Sequence, residues 1–289
     1  MVHRLAEVLN VEGHAAEVLA TRGTGAATEL ARKMVNTVDA IFACGGDGTV
    51  HEVVQGLVCE TREPAAALGI VPLGSANAFA RHLGLSLDPA IAVLQQARGQ
   101  ACLLPVGKVR HSGGIRYFAV MAGAGPDGAL VQSLSSTHKS LMGRSAYYLH
   151  AARLLLTYQF DPFEVEWSTA PAGTLSRRKT VSVMAARIGN LGGLFSGLTS
   201  RHASIYDSTL KLHILSAPAW LSLPLWFVTG WLYLARLNPF SHCVEASWFA
   251  CRSLGRGACH AQVDGEWLGE LPFEASVVPN ALRILLPAK

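Results

Sequence analysis

Two stretches near the N-terminus share one pattern, a short apolar run followed by a polar turn with glycine and then by apolar residues at helical spacing. The first, Asp39–Leu57, reads D-A-I-F-A-C-G-G-D-G-T-V-H-E-V-V-Q-G-L, and the second is Leu68–Leu85. This pattern is typical of parallel strands that are each followed by a helix. Because the carboxyl ends of parallel strands meet at one edge of a sheet, we expect both turns at that edge.

The remainder of the first hundred residues is mainly helical in pattern. Apolar spacing predicts helices over residues 1–12, 24–35 and 88–96, the last capped by Asp88, and a short strand over Ala15–Thr21. No strand is predicted before the first helix, although an α/β sheet normally begins with one.

After about residue 99 the pattern changes to short alternating segments. Helices are predicted there at Ser140–Tyr158 and Ala219–Leu237. The helical pattern and the alternating pattern predict an α/β domain over residues 1–101 and a β-rich domain over residues 102–289. The predicted strands of the second domain are Leu103–Arg110, Ile115–Ala122, Pro162–Ser168, Thr180–Ile188, Leu210–Leu215, Ala258–Val263, Phe273–Val278 and Ala281–Leu286.

Composition narrows the class of protein. Half of the 289 residues are hydrophobic and 15% are charged, which argues against disorder. The net charge of +4 would favour anionic lipid or nucleotide phosphate, but no run of basic residues resembles a nucleic-acid-binding arm. We interpret Arg177–Lys179 as a solvated turn and expect no nucleic-acid partner.

The spacing of the cysteines and the length of the apolar runs indicate where in the cell the protein is expected. The six cysteines form no C-x-x-C pair, and no signal-peptide pattern opens the chain, so we expect a cytoplasmic protein. The longest apolar run, Leu212–Leu237, contains two prolines and His213, which disfavours a membrane span. We expect instead a strand and then a helix that lies at a lipid boundary. The aromatic residues available for that boundary are Trp220, Trp226, Trp231 and Tyr233.

The first polar turn carries chemistry suited to a phosphate. Gly45, Gly46 and Gly48 let a phosphate approach the main chain without a Cβ in the way, and the helix that follows from Thr49 directs free amides towards it. Asp47 would repel a phosphate unless its carboxylate holds a metal ion or accepts a proton. The turn therefore indicates phosphoryl transfer, with a plain helix-capping role for Asp47 as the alternative.

These motifs identify a family. G-G-D-G-T-V-H-E-V-V-Q-G-L followed by P-L-G-S-A-N-A-F-A-R-H-L-G-L resembles the catalytic domain of the diacylglycerol kinase and sphingosine kinase family of lipid kinases. NAD kinases and phosphofructokinases share G-G-D-G-T, so the second motif makes the distinction. M-A-G-A-G-P-D-G, K-S-L-M-G-R-S-A-Y-Y and V-D-G-E-W extend the likeness over nearly the whole chain.

The resemblance implies a fold and an activity. The fold is a Rossmann-like α/β domain of the NAD kinase and diacylglycerol kinase type, followed by a C-terminal β-sandwich that binds lipid. The activity is transfer of the γ-phosphoryl group of ATP, with Mg²⁺, to a hydroxyl of diacylglycerol or a sphingoid-type lipid, a step of phospholipid metabolism. Its partners would be ATP and a membrane lipid reached by peripheral contact, and a homodimer is compatible with the sequence.

The resemblance also assigns site residues. Asp47, Asp264 and Glu266 are expected to be catalytic, the last two also binding magnesium, and Asp127 is expected beside the lipid head group. Asp264 and Glu266 would face one side of an extended segment, with a plain D-G hairpin turn as the alternative. The residues expected to bind the nucleotide are Thr21, Gly45, Gly46, Gly48, Thr49, Glu52, Ser75 and Asn77.

The sequence departs from the family at its start. Family members usually begin with a strand that ends in an N-P-x-S-G-like turn, whereas this sequence begins in the helix expected after that turn. We therefore expect the N-terminal domain to lack its first strand, through a late start codon or a lost element. Two alternatives to a lipid kinase remain: a non-catalytic pseudokinase that binds nucleotide or lipid, and an NAD kinase.

Overall fold

A computed structural model of the chain describes residues 1–61, 63–135, 153–154, 160–170, 173–189, 203–216, 218–232, 238–255 and 257–287. It divides into two compact units. The first unit contains Met1–Val106 together with Val278–Lys289, and the second contains Gly107–Val277. The C-terminal segment thus belongs to the first unit, whereas the sequence pattern alone places it in the second.

The helices and strands alternate in the first unit, and strands dominate the second. The helices are α1 (Val2–Val11), α2 (Ala26–Met34), α3 (Asp47–Leu57), α4 (Ala78–His82), α5 (Pro89–Ala97), α6 (Pro126–Ser135) and α7 (Ala219–Trp231). The strands are β1 (Ala40–Gly45), β2 (Ala67–Pro72), β3 (Gln100–His111), β4 (Gly114–Phe118), β5 (Met121–Ala124), β6 (Phe163–Ser168), β7 (Ser176–Thr180), β8 (Ser182–Ala186), β9 (Leu210–Leu215), β10 (Ser241–Ala246), β11 (Trp248–Ser253), β12 (His260–Val263), β13 (Glu266–Glu270) and β14 (Phe273–Leu286).

A parallel sheet forms the centre of the first unit. Strands β1 and β2 pair in parallel along their whole length, and the end of β14 runs parallel to β2, with Ile284 beside Leu68. All six residues of β2 are buried, as expected for the inner strand of an α/β sheet. Buried Gln96 of α5 bonds to both the N–H and the C=O of Ile70 at 2.7 Å, so its amide satisfies main-chain groups of this strand.

The helices of the first unit pack on this sheet as the sequence predicts. Helix α3 turns its apolar side inward, and its Gly56 lies so near α2 that a Cβ would be 2.5 Å from the carbonyl oxygen of Thr28. Helix α5 begins after Asp88, whose carboxylate accepts hydrogen bonds from the amides of Ala90 and Ile91.

The second unit is a sandwich of two antiparallel sheets. One sheet has the strand order β10-β9-β8-β5-β12-β13, and in the other β11 lies between β6 and the first part of β14. Buried side chains from both sheets form one apolar core. This arrangement confirms the predicted β-sandwich. Core residues of the second sheet include Phe163, Val165, Phe249 and Phe273, and those of the six-stranded sheet include Val183, Ala185, Leu212 and Ile214.

Helices α6 and α7 contribute to a separate apolar cluster with strands of the six-stranded sheet. Ala129 of α6 and Leu223 and Trp226 of α7 are buried there with Met184 and Leu215. The opposite side of α7 carries exposed apolar side chains. None of the described helices is long and apolar enough to cross a membrane.

Several expectations from the sequence need correction. Ala15–Thr21 forms no strand and pairs with none of the described strands, and β1 is an edge strand of the sheet. Arg177–Lys179 is not a turn but part of β7, where Arg177 pairs with Glu166 across the sheet. The two predicted C-terminal strands are one strand, β14, which continues through Asn280 at a φ of 50°.

Other differences concern strands. The predicted strand Ile115–Ala122 divides into β4 and β5, and β10, β11 and β13 were not predicted. The predicted helix Ser140–Tyr158 lies outside the described residues, apart from Arg153 and Leu154.

Candidate active site

The two glycine turns of the first unit lie together at the carboxyl edge of the sheet, as predicted. Gly45 ends β1 opposite Pro72 at the end of β2, and the Leu73 amide donates to the Gly45 carbonyl oxygen at 2.9 Å. Beyond them, a Cβ on Gly74 would lie 2.5 Å from the Cα of Gly46. Only glycine allows so close an approach of the two main chains.

The first turn leads directly into a helix. Helix α3 begins at Asp47, immediately after Gly46, so the turn is covered by amides that have no partner within the helix. Thr49 folds back over the end of β1, because a Cβ on Gly45 would lie 2.3 Å from its Oγ1. Free amides, the positive end of the helix dipole and glycines without side chains suit a phosphate group.

Asn77 shapes the second turn. Its Oδ1 accepts from the Gly74 amide at 3.0 Å, and its Nδ2 donates to the Gly74 carbonyl oxygen at 2.7 Å. Asn77 is buried and has a φ of 50°, whereas Ser75 is exposed in the same turn. Asn77 therefore holds the loop in shape, and Ser75 presents its side chain to solvent.

Glu52 contacts a neighbouring helix. Its two carboxylate oxygens accept from the amides of Gly25 and Ala27 at 2.9 and 3.2 Å, which caps α2. Its own carbonyl oxygen accepts from Thr28 Oγ1 at 2.8 Å. Thr21 is exposed in the segment just before this cap. Glu52 thus ties α3 to the start of α2, and its predicted contact with nucleotide stays a prediction.

In the second unit, Asp264 and Gly265 form the tight turn between β12 and β13. Their φ values are 49° and 81°, and positive values at both central residues are the mark of a two-residue hairpin of type I′. The expected extended geometry is therefore wrong, since the D-G dipeptide forms a hairpin turn, and the catalytic roles expected of Asp264 and Glu266 stay predictions. Glu266 is exposed at the first position of β13, opposite Val263.

The Asp264 carboxylate is occupied by the main chain. It accepts hydrogen bonds from the amides of Ala119, Val120 and Met121, each at 2.9 Å, and the Asp264 amide donates to the Met121 carbonyl oxygen at 2.8 Å. The turn is thereby fixed to the corner between β4 and β5. A carboxylate offers about four acceptor sites, so three amides leave room for about one further contact.

The hydrogen bonds to Asp264 affect how its carboxylate could bind magnesium. Oδ1 of Asp264 accepts from two amides and Oδ2 from one, so Oδ2 keeps an acceptor position, and the expected binding of magnesium by Asp264 and Glu266 stays a prediction. In the parts of the chain that the structure describes, no group of three or more His, Cys, Asp or Glu side chains could hold a metal ion.

A buried arginine supports the same corner. The Arg187 amide donates to the Val120 carbonyl oxygen at 2.9 Å, and its guanidinium donates to the carbonyl oxygens of Ile205 and Asp207 at 2.8 and 3.1 Å. Burial lowers the pKa of Arg187 to about 10, against the opposing charges of Asp207 and Asp264. Arg187 therefore stays charged at neutral pH. A cation within the apolar run M-A-A-R-I is the signal that could have revealed it from the sequence.

Asp127 lies in the first turn of α6, beside β5 and β12. Its Oδ2 accepts from Nε2 of Gln262 at 3.0 Å, and a Cβ on Gly123 would lie 2.1 Å from the same oxygen. A Cβ on Gly128 would likewise lie 2.1 Å from the His260 carbonyl oxygen. Glycines of M-A-G-A-G-P-D-G therefore make room for the carboxylate and for the helix. Burial raises the pKa of Asp127 to about 6, opposed by the hydrogen bond from Gln262 and by main-chain amides.

The predicted residues thus form one group in each unit. In the second unit, Gln262 joins Asp127 to the Asp264–Gly265 turn, and the sequence analysis missed this residue. The sequence could have indicated Gln262, because this residue lies two positions before Asp264 on a predicted strand, on the same face as His260. In the first unit the residues at the two glycine turns are Gly45, Gly46, Asp47, Gly48, Thr49, Ser75 and Asn77.

Comparison with known proteins confirms the family predicted from the motifs. Residues 1–109 match the family described as the diacylglycerol kinase catalytic domain. A diacylglycerol kinase of Bacillus subtilis (strain 168) is 31% identical over 205 residues, which are 70% of this chain and 64% of that relative. The chain thus spans less than two thirds of that protein's length. A "Probable lipid kinase YegS-like" protein of Pectobacterium atrosepticum is 27% identical over 282 residues, 96% of this chain and 89% of that one.

A solved structure extends the likeness to the whole fold. A diacylglycerol kinase from Bacillus anthracis str. Sterne superposes with a TM-score of 0.67 at 19% sequence identity, over 99% of this chain and 91% of that one. The likeness confirms the predicted fold, an α/β domain joined to an antiparallel β-sandwich.

Proposed function

Because residues 1–109 belong to the diacylglycerol kinase catalytic-domain family, we propose that this chain is a lipid kinase that transfers the γ-phosphoryl group of ATP to a lipid hydroxyl. The relatives named above as diacylglycerol kinase and lipid kinase support a phosphotransferase of this class. Diacylglycerol or a sphingoid-type lipid is the proposed acceptor.

One observation carries the proposal, the contact between the two glycine turns. Gly46 and Gly74 bring two main chains together beside the first turn of α3. A phosphate chain can lie on such a surface, because glycine removes the side chains and the helix supplies amide donors. The residues present therefore fit a nucleotide phosphate. Asp47 then lies beside the phosphates, where the helix dipole favours its charge.

The transfer itself needs an acceptor oxygen and a base. The lipid hydroxyl oxygen forms a bond to the γ-phosphorus, the bond from that phosphorus to the β-γ bridging oxygen breaks, and ADP leaves with those electrons. The hydroxyl proton passes to a carboxylate. We assign that step to Glu266, because it is exposed while Asp264 is held by three amides.

The kinase family suggests a divalent metal, and magnesium is the proposed ion. When bound, it would neutralise charge on the phosphates. Asp264 and Glu266 are the residues proposed to hold it, and no step above depends on the ion.

The exposed side of α7 is proposed to contact the membrane that holds the lipid. Trp220 is 76% exposed and Val228 is 51% exposed, and Pro224 lies between them on the same side of the helix. No residue of α7 is charged. Tryptophan is favoured at the boundary between lipid and water, and an apolar helix side without charge can enter it.

A non-catalytic relative is the second candidate function. The observation that favours it is that main-chain amides take three of the roughly four acceptor sites of the Asp264 carboxylate, which leaves little of it for substrate or metal. Such a protein would bind nucleotide or lipid without turnover.

A transfer assay separates the two. The purified chain is incubated with γ-labelled ATP, Mg²⁺ and mixed micelles of diacylglycerol, sphingosine, ceramide or phosphatidylglycerol, and the extracted lipid is counted. Label in one lipid class supports the kinase. Tight ATP binding with no labelled lipid in any class would support the non-catalytic alternative.

A further inference from the structure

Arg81 reaches back from α4 to the second glycine turn. Its Nε donates to the carbonyl oxygen of Ala76 at 3.0 Å, and both residues are exposed. Ala76 lies two positions after Gly74, which packs against Gly46 of the first turn. The guanidinium is therefore held beside the surface that the two turns form together.

The segment between the second turn and α4 fixes where the Arg81 side chain begins. Buried Asn77 makes two hydrogen bonds to Gly74, at 3.0 and 2.7 Å, and the Arg81 amide donates to the Asn77 carbonyl oxygen at 3.0 Å. Phe79 and Ala80 are buried and anchor α4 in the interior. Hydrogen bonds and core contacts thus hold this segment in place, and only the outer part of Arg81 is left at the surface.

The two terminal nitrogens of Arg81 are available to a ligand. A guanidinium has N–H groups on three nitrogens, and the bond to Ala76 uses only the one on Nε. Within the described residues, no acceptor bonds to Nη1 or Nη2, and no carboxylate forms an ion pair with Arg81. The N–H groups of these two nitrogens form a planar fork, which is the geometry that binds two oxygens of one phosphate.

The charges at this edge of the sheet favour a cation. The phosphates of a nucleotide carry several negative charges, and Asp47 in the first turn of α3 adds another. The amides and the dipole of α3 offset part of that charge. Arg81 brings a full positive charge, through a direct hydrogen bond to one of the turns.

We propose that Arg81 binds the nucleotide, with Nη1 and Nη2 donating to oxygens of one phosphate while Nε stays bonded to Ala76. The inference rests on the proposed function, because the phosphate is that of the ATP assigned to the glycine turns. The bond to Ala76 restricts rotation of the side chain before the nucleotide arrives, so less conformational entropy is lost on binding. The alternative is that Arg81 only satisfies the Ala76 carbonyl oxygen and shapes the turn.

Isothermal titration calorimetry of the full chain with ATP and Mg²⁺, without lipid and at several salt concentrations, tests the proposal. Arg81→Met removes the charge and the donors and is expected to weaken ATP binding about tenfold or more. Its affinity should also depend less steeply on salt, because a charge contact with phosphate is lost. Arg81→Lys keeps the charge without the fork, so we expect an intermediate affinity and the salt dependence of the unmodified chain.

Arg283→Met is the matched control. Arg283 is another exposed arginine of the first unit, and it donates to a main-chain carbonyl oxygen, that of Ala65. Ala65 lies just before β2, whereas the second glycine turn lies just after it. The control therefore removes the same charge at the other end of the strand, and it should bind ATP as the unmodified chain does.

The outcomes separate this proposal from the function on which it rests. Unchanged ATP affinity in Arg81→Met would overturn the role of Arg81 and leave the kinase function standing. A weaker affinity with unchanged salt dependence would also overturn it, because a change in the shape of the turn would explain that result, and so would an equal loss in Arg283→Met. No ATP binding by the unmodified chain would instead overturn the proposed function, and this inference with it.

Discussion

Gly74 lies so close to Gly46 that a Cβ on Gly74 would be 2.5 Å from the Cα of its neighbour, which joins the two glycine turns main chain to main chain. Gly74→Ala must force the turns apart, at a cost typical of overpacking of about 1–3 kcal/mol. If the turns together hold the phosphates of ATP, the variant should bind ATP about tenfold more weakly or worse, as measured by isothermal titration calorimetry.

The control for that experiment is Gly255→Ala, which adds a methyl group in the second unit where the nearest atom is 4.0 Å away. It should bind ATP as the unmodified chain does. Unchanged ATP affinity in folded Gly74→Ala would show that the contact of the turns is not part of the nucleotide site.

Removing the charge of Asp264 and removing the charge of Glu266 should change the free energy of unfolding by different amounts. Asp264→Asn replaces one of the two oxygens that accept from three amides by an NH₂ group, which cannot accept, and we expect it to lower the free energy of unfolding by roughly 1.5–3 kcal/mol. Glu266→Gln alters an exposed side chain and should leave stability within about 0.5 kcal/mol. Chemical denaturation of the two variants measures both values, and equal stability loss in the two would contradict these roles.

His213 should make stability depend on pH. It is buried in β9 with Nε2 3.9 Å from Sγ of Cys243, and burial lowers the pKa of His213 to about 4 from an ordinary value of 6.5. The unfolded chain therefore binds the proton more readily between these values. The stabilisation is present above pH 6.5 and is lost as the pH falls through 4, by up to about 3 kcal/mol.

Thermal or denaturant unfolding between pH 4 and 7 measures the pH dependence of stability that is attributed to His213. His213→Leu should have a flatter dependence on pH than the unmodified chain, whereas His14→Leu, at an exposed histidine, should retain the original dependence. Identical slopes in all three proteins would show that His213 does not contribute.

The sequence predicted much of the fold because its local patterns agree with its packing. Helices α1, α2, α3 and α5 and strand β9 follow apolar periodicity, and the cap by Asp88 was visible as D-P. The missed strands β10 and β11 lie at Ser241–Ala246 and Trp248–Ser253. Polar and small residues there interrupt the alternation of apolar and polar positions that predicts a strand. Their strand state is fixed by their pairing with β9, β6 and β14, which is not local information.

The candidate site shows the same limit. The glycine turns could be predicted because their chemistry lies in consecutive residues. The geometry of Asp264 was mispredicted, since its carboxylate bonds to residues 119–121, more than 140 positions earlier. Gln262 and Arg187 were missed for the same reason, because their partners come from distant segments of the chain.

Helix α7 should carry membrane affinity. Trp220→Ala combined with Val228→Ala removes two large exposed side chains of α7, and we expect binding to lipid vesicles to fall about tenfold or more in a sedimentation assay. The matched control combines Leu175→Ala with Leu254→Ala, residues that are 52% and 53% exposed elsewhere in the second unit. Equal vesicle binding by the two double variants would rule out α7 as the contact.

The most direct test of the central claim compares the unmodified chain with Glu266→Gln in transfer of label from γ-labelled ATP to micellar lipid. We predict labelled lipid from the unmodified chain and a loss of about a hundredfold or more in Glu266→Gln, because the glutamine amide cannot accept the hydroxyl proton. ATP affinity should stay the same in both. No labelled lipid from the unmodified chain, or equal labelling by the two proteins, would contradict the account.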